Sequence, residues 1–300
     1  MHKSELSEAA LLKAYDAICR AKGDNPEWAV HKRNSPAELV RCTIPFVGKY
    51  YAEQPGKILV YASAENLSGY YPGNSREWVG DWLDDDRQAE NRHRRCFDDP
   101  ELWNNKKNPF FPHVHLEPMN NGCLSTAVYY IASRLYRAEP ANPRDFYETI
   151  AFGNYGKYSI ETDFQRSLRL GAGQGGKKAN LDYAGKVGLL AESHEFVKAD
   201  IETLRPDLII LPASVYRVDA EFISSVKGGA AVLPIYQMNA RVINQYIAPN
   251  YPAYDVERLS QAVKTWYSEL CEGGMTGKSK ENYLSVFTYL DNAMENSFRR

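Results

Sequence analysis

The sequence predicts an α/β fold: a doubly wound, mostly parallel sheet in a three-layer sandwich, with helices added at the N- and C-terminal ends. Three observations carry this expectation. Short apolar runs of the kind buried in parallel sheets recur at Ile58–Tyr61, Phe146–Phe152, Leu208–Leu211 and Ala230–Ile235. Helical periodicity separates them, above all from Cys123 to Tyr136, where Leu124, Ala127, Val128, Ile131, Ala132 and Leu135 mark a single stripe. The runs ending at 61, 152 and 235 then switch abruptly to polar residues, as strands do where their carboxyl ends face a ligand.

The 300 residues, 44% of them hydrophobic, provide a core for one domain without disulfide or metal staples. We place that core at about 57–245, with helical additions over 1–55 and 255–300 and an insertion or lid over about 76–112. A net charge of -2 argues against a broad basic surface for nucleic acid, though not against a local basic groove. The five cysteines form no CxxC pair and leave one over, which fits a reducing, cytoplasmic setting. Met1 to Arg20 lacks the apolar centre of a signal peptide, and no run reaches membrane-span length, so no membrane partner is expected.

Along the chain, Ser4 to Lys22 has helical spacing and stops at Gly23-Asp24-Asn25-Pro26. Ala37 to Phe46 reads as a short helix entering a strand. The strand Ile58–Tyr61 follows, with a polar loop reaching Asn74. Phe146 to Phe152 is a second strand, or the tail of a helix entering one, and Gly153 to Ser159 its loop. Ser193 caps a helix to Leu204, which Arg205-Pro206-Asp207 breaks before the strand Leu208–Leu211. Phe222 to Val226 suggests a short helix, Ala230–Ile235 the last strand, and Asp255–Cys271 and Lys280–Phe298 two long helices.

The candidate chemistry lies at the strand ends. Glu65 and Asn66 follow the first, Asn154 and Lys157 the second, Gln237 and Asn239 the last. Amides combine donors and acceptors and suit the edge of a nucleobase, and a carboxylate beside them can orient a water. The same residues equally serve as loop and helix caps. No metal or cofactor is expected. Asp84-Asp85-Asp86 and Arg92-His93-Arg94-Arg95 read as solvated charge runs, and His113 and His115 lack a third ligand at metal spacing. Gly171 to Gly176 does not follow a strand, so it is a loop rather than a dinucleotide fingerprint.

In its order of segments the chain resembles the uracil-DNA glycosylase superfamily over about residues 57 to 245. These are a strand into a carboxylate loop (Ile58 to Pro72), a helix (Cys123 to Tyr136), a strand into Asn with a nearby Lys (Ile150 to Ser159), a helix and strand (Phe196 to Leu211), and a strand into a polar loop (Val232 to Arg241). The resemblance implies that Glu65 or Asn66 positions the attacking water and that Asn154 reads the base. The stretch Tyr236-Gln237-Met238-Asn239 stands where the family carries His-Pro-Ser, so Gln237 donates a hydrogen bond to the leaving base but no charge. With it come base stacking by Tyr70 or Tyr71, a leaving-group contact from Gln237 or Asn239, and phosphate clamps at Lys157, Lys177, Lys178 and Arg241. DNA or a nucleotide is then the expected partner. The alternatives are a non-catalytic nucleotide- or partner-binding module on the same fold and, more weakly, a serine hydrolase using Ser63 or Ser68, for which no Gly-x-Ser-x-Gly elbow exists.

Overall fold

A computed structural model describes residues 3–22, 30–32, 35–40, 44–66, 122–137, 143–160, 190–191, 193–272 and 277–298. Tyr70, Tyr71, Lys177, Lys178, Ser68, the 76–112 insertion, both charge runs, His113, His115 and the Gly171–Gly176 loop lie outside these residues.

The fold is mixed α/β around a five-stranded, mostly parallel sheet. Its strands are β3 (Phe46–Val47), β4 (Ile58–Asn66), β5 (Ala151–Ile160), β6 (Leu208–Pro212) and β7 (Ala231–Ile235), in the spatial order β3-β5-β4-β6-β7. β4, β5, β6 and β7 run parallel, and β3 adds an antiparallel edge to β5. The apolar runs of β4 and β6 are buried without alternation: Leu59, Val60 and Leu208 to Leu211 are essentially inaccessible, as strands covered on both faces require.

Among the described residues the helices are α1 (Lys3–Lys22), α2 (Gly122–Tyr136), α3 (Pro143–Tyr147), α4 (His194–Leu204), α5 (Ala213–Val226), α6 (Ala240–Val242), α7 (Gln261–Glu272) and α8 (Lys278–Phe298). α1 packs on α4 and β3, whereas α8 packs on α2 and β7, and α7 on α2. Between α2 and α7 the aromatic residues carry the packing: Trp266 stacks on Tyr129 at 4.1 Å and meets Phe146 edge-on at 5.5 Å.

Several expectations change. Residues 30–40 form an antiparallel pair, β1 (Val30–Lys32) with β2 (Ser35–Val40), where a helix was expected from Ala37. The N-terminal addition is therefore helix plus strands, not helical throughout. β4 runs on to Asn66, so Glu65 and Asn66 lie within a strand and not in a loop. β5 likewise absorbs Gly153 to Ser159, after the helix α3 that precedes it. Gly153 suits that strand because Pro45 presses on it: a Cβ there would sit 3.2 Å from the Pro45 ring. α5 spans fourteen residues rather than five, with a kink at Asp219, whose dihedrals are non-helical. The helix expected from Asp255 starts at Gln261, after a short 3₁₀ turn over Val256–Arg258.

Candidate functional site

β4 is central, and its carboxyl end places Glu65 and Asn66 beside β5. Pairing is regular up to Ala64 with Gly156, but Asn66 pairs with Ile160. β5 thus advances four residues while β4 advances two, and the break falls at Glu65. Irregular pairing of this kind bends a strand and re-aims its side chains. Val60 and Phe152 are buried and Ala62 and its partner Asn154 are half-buried, whereas Tyr155, Gly156 and Lys157 beyond them are buried again.

The last strand contributes differently. Gln237 is exposed, and its carbonyl accepts a hydrogen bond from the Asn239 N–H at 2.9 Å. Asn239 Oδ1 accepts from the Val242 N–H at 3.0 Å and caps α6. Arg241 is exposed, with its Nε donating to Gln245 Oε1 at 3.2 Å. A π-turn, Ile243–Ile247, follows directly. Since β7 stands three strands from β5, its end lies about 14 Å across the sheet from Asn154. Asn154, opposite Ala62, therefore lies on the strand next to Glu65 and Asn66 but three and four residues short of them, while Gln237 and Asn239 stand on the far side of the row.

Lys157, expected as a phosphate clamp, points into the core. Its side chain is 1% exposed, and Nζ donates to Asp200 Oδ2 at 2.6 Å. Tyr61 donates to the same oxygen at 2.9 Å, and Tyr15 to Oδ1 at 2.8 Å. The ammonium also faces the Tyr15 and Tyr61 rings at 5.5 and 5.4 Å. Its charge is matched inside the protein, and we assign Lys157 to this network and not to phosphate binding. Burial pushes the Asp200 carboxyl above its ordinary range, with Lys157 the main opposing influence. Burial, reinforced by the Asp200 charge, pushes the Tyr61 phenol well up, so it stays a donor. Ser193, expected to cap α4, makes no side-chain cap, and its Oγ accepts the Lys157 backbone N–H at 2.9 Å.

A second cluster continues from this one. Tyr155 packs edge-on against Tyr61 at 5.5 Å and donates to Asp219 Oδ2 at 2.6 Å. His194 Nε2 lies 2.9 and 2.8 Å from the two Asp219 oxygens, and its ring stacks on Phe222 at 3.6 Å. Polar side chains thus tie α1, α4, α5, β4 and β5 together. Asp200 and Asp219 had a signal in the sequence. Asp200 follows Phe196 by four and Val197 by three, and Asp219 lies four from both Val215 and Ile223, so each acid occupies the buried stripe of its helix. A carboxylate there must have partners.

Ser63 sits within the paired part of β4, away from the strand-to-helix turn that a nucleophile elbow requires. Among the described residues no group of three or more His, Cys, Asp or Glu could hold a metal ion, and no helix is long and apolar enough to cross a membrane. No protein-family model, curated protein or solved structure matches the chain.

Proposed function

We propose that this protein is a uracil-DNA glycosylase-like hydrolase that reads a nucleobase at the carboxyl ends of β4 and β5. The observation that carries the proposal is the break in strand pairing at Glu65, three residues past Ala62, the partner of the half-buried Asn154. It marks a carboxylate position near the end of β4, on the strand paired with the one that carries Asn154, and a carboxylate and an amide are the groups that water activation and base recognition need.

The topology supports the placement. From β4 the chain crosses to β5 on one side, and then returns past β4 to β6 on the other. Right-handed crossovers in opposite directions put α2 and α4 on opposite faces, giving the doubly wound, three-layer arrangement and a crevice at the point of reversal. In this scheme Asn154 reads the base edge and Glu65, with Asn66, orients the water. Gln237 and the Asn239 amide nitrogen face the nucleic acid from the far side of the row.

Release of uracil from single-stranded DNA by the full chain tests the proposal. The parent is expected to release uracil, and Glu65→Gln to slow release by about a hundredfold or more, the usual loss when a general base is removed. No release by the parent would sink it. A second reading, a nucleotide-binding module without turnover, draws on the end of β7, where Gln237 is uncharged and stands about 14 Å across the sheet from Asn154, so it offers no charge to a base held there. Binding by the parent that Asn154→Ala weakens, without any release, would favour that reading.

A further inference from the structure

The carboxyl end of β7 carries an aromatic platform. Tyr236 is 40% exposed, and its ring lies parallel to that of Tyr289, with centroids 5.1 Å apart and planes within 11°. Tyr289 is itself fixed. It is 6% exposed, Tyr251 meets it edge-on at 5.2 Å, and its hydroxyl accepts the Tyr236 backbone N–H at 2.8 Å. One face of Tyr236 is therefore covered by an immobile ring, and the backbone beneath it is held in place. Gln237, the next residue, is exposed, as is Arg241 five residues on.

A solvent-facing tyrosine held by a stacked partner, followed in the chain by an exposed amide and an exposed arginine, matches a sequence-tolerant contact for single-stranded nucleic acid. We propose that Tyr236 stacks a second base of the strand, flanking the one placed at Asn154. The sheet separates the two positions by about 14 Å, too far for both to engage one base. The proposal rests on the base-reading function given above, because it assumes a strand lying across the row of carboxyl ends. Tyr236 acts there as a binding residue and takes no part in bond cleavage.

Fluorescence anisotropy with a labelled single-stranded oligothymidylate separates the two ideas. Tyr236→Ala is expected to weaken binding about tenfold, as loss of one stacked base does, and Tyr236→Phe to stay within about twofold of the parent. The Tyr236 contact to Tyr289 through the backbone N–H survives both substitutions, and thermal melting verifies that each variant is folded. Wild-type affinity in Tyr236→Ala, together with a loss in Asn154→Ala, overturns the platform and leaves base reading intact. Loss in Tyr236→Ala with none in Asn154→Ala upholds the platform and removes the Asn154 assignment. Absence of binding by the parent overturns both.

Discussion

Replacing Asp200 with alanine removes the acceptor on which three elements converge. The residue is wholly buried and takes hydrogen bonds from Lys157, Tyr61 and Tyr15 at 2.6, 2.9 and 2.8 Å. Asp200→Ala leaves the Lys157 ammonium, 1% exposed, without its counter-charge. Breaking a buried ion pair from one side costs about 3–5 kcal/mol. Each phenol left without an acceptor adds on the order of 1 kcal/mol, while loss of the lysine proton limits the total. We expect a net loss of about 3–5 kcal/mol, a large share of the roughly 5–15 kcal/mol that holds a native protein together. Urea unfolding at neutral pH, followed by far-UV circular dichroism, measures it. Thermal melting should show a fall of about 6–20 °C, at roughly 2–4 °C per kcal/mol for a chain of this size class. The double variant Lys157→Met/Asp200→Leu should recover most of the loss, since an apolar pair of similar volume needs no counter-charge. An Asp200→Ala protein within about 1 kcal/mol of the parent would refute the reasoning, as would a double variant no better than the single one.

The same carboxylate sets a pH dependence. Its native value is raised above the ordinary 3.8 by burial, so the folded protein holds this proton more tightly than the unfolded chain does. The associated stability is full below that ordinary value and is lost as pH rises through the raised one. Denaturation midpoints of the parent should fall across that window relative to Asp200→Asn, and a relative rise would contradict the assignment. At Gly56, a Cβ would run into the Tyr136 ring at the amino end of β4, so Gly56→Ala should cost about 1–3 kcal/mol in thermal or urea unfolding. Gly229→Ala, with open space around its Cβ, is the control and should leave the midpoint unchanged.

The central sheet was legible because Ile58 to Val60 and Leu208 to Leu211 are apolar without interruption, a pattern that burial on both faces imposes. The outer half of β4 was not. Ala62, Ser63, Ala64, Glu65 and Asn66 include poor strand formers, and among the described residues it is pairing with β5 that keeps them extended. α2 and α8 were read almost to their ends from spacing alone, whereas α5 was shortened to its last five residues because Asp219 and Arg217 disguise its stripe. Of the candidate site, the sequence marked Glu65, Asn66 and Asn154 as polar residues following apolar runs, but the register of the two strands and its break were not legible, since both arise from segments about ninety residues apart. Lys157 was misplaced for the same reason. After Gly153-Asn154-Tyr155-Gly156 it looks like a loop cation, and its partner Asp200 stands 43 positions further along.

The outer margin of β7 bears on how this sheet behaves in company. The Ala231 N–H bonds inward to Asp207, so by alternation positions 232, 234 and 236 direct their nitrogens away from β6. Position 234 is proline and has no N–H to offer, and the N–H at 236 is closed off by the Tyr289 hydroxyl. Among the described residues of β7, only Val232 remains to greet a foreign strand. A neighbouring molecule approaching that margin finds no continuous ladder to extend, so the proline and the tyrosine hydroxyl together guard the chain against edge-to-edge aggregation.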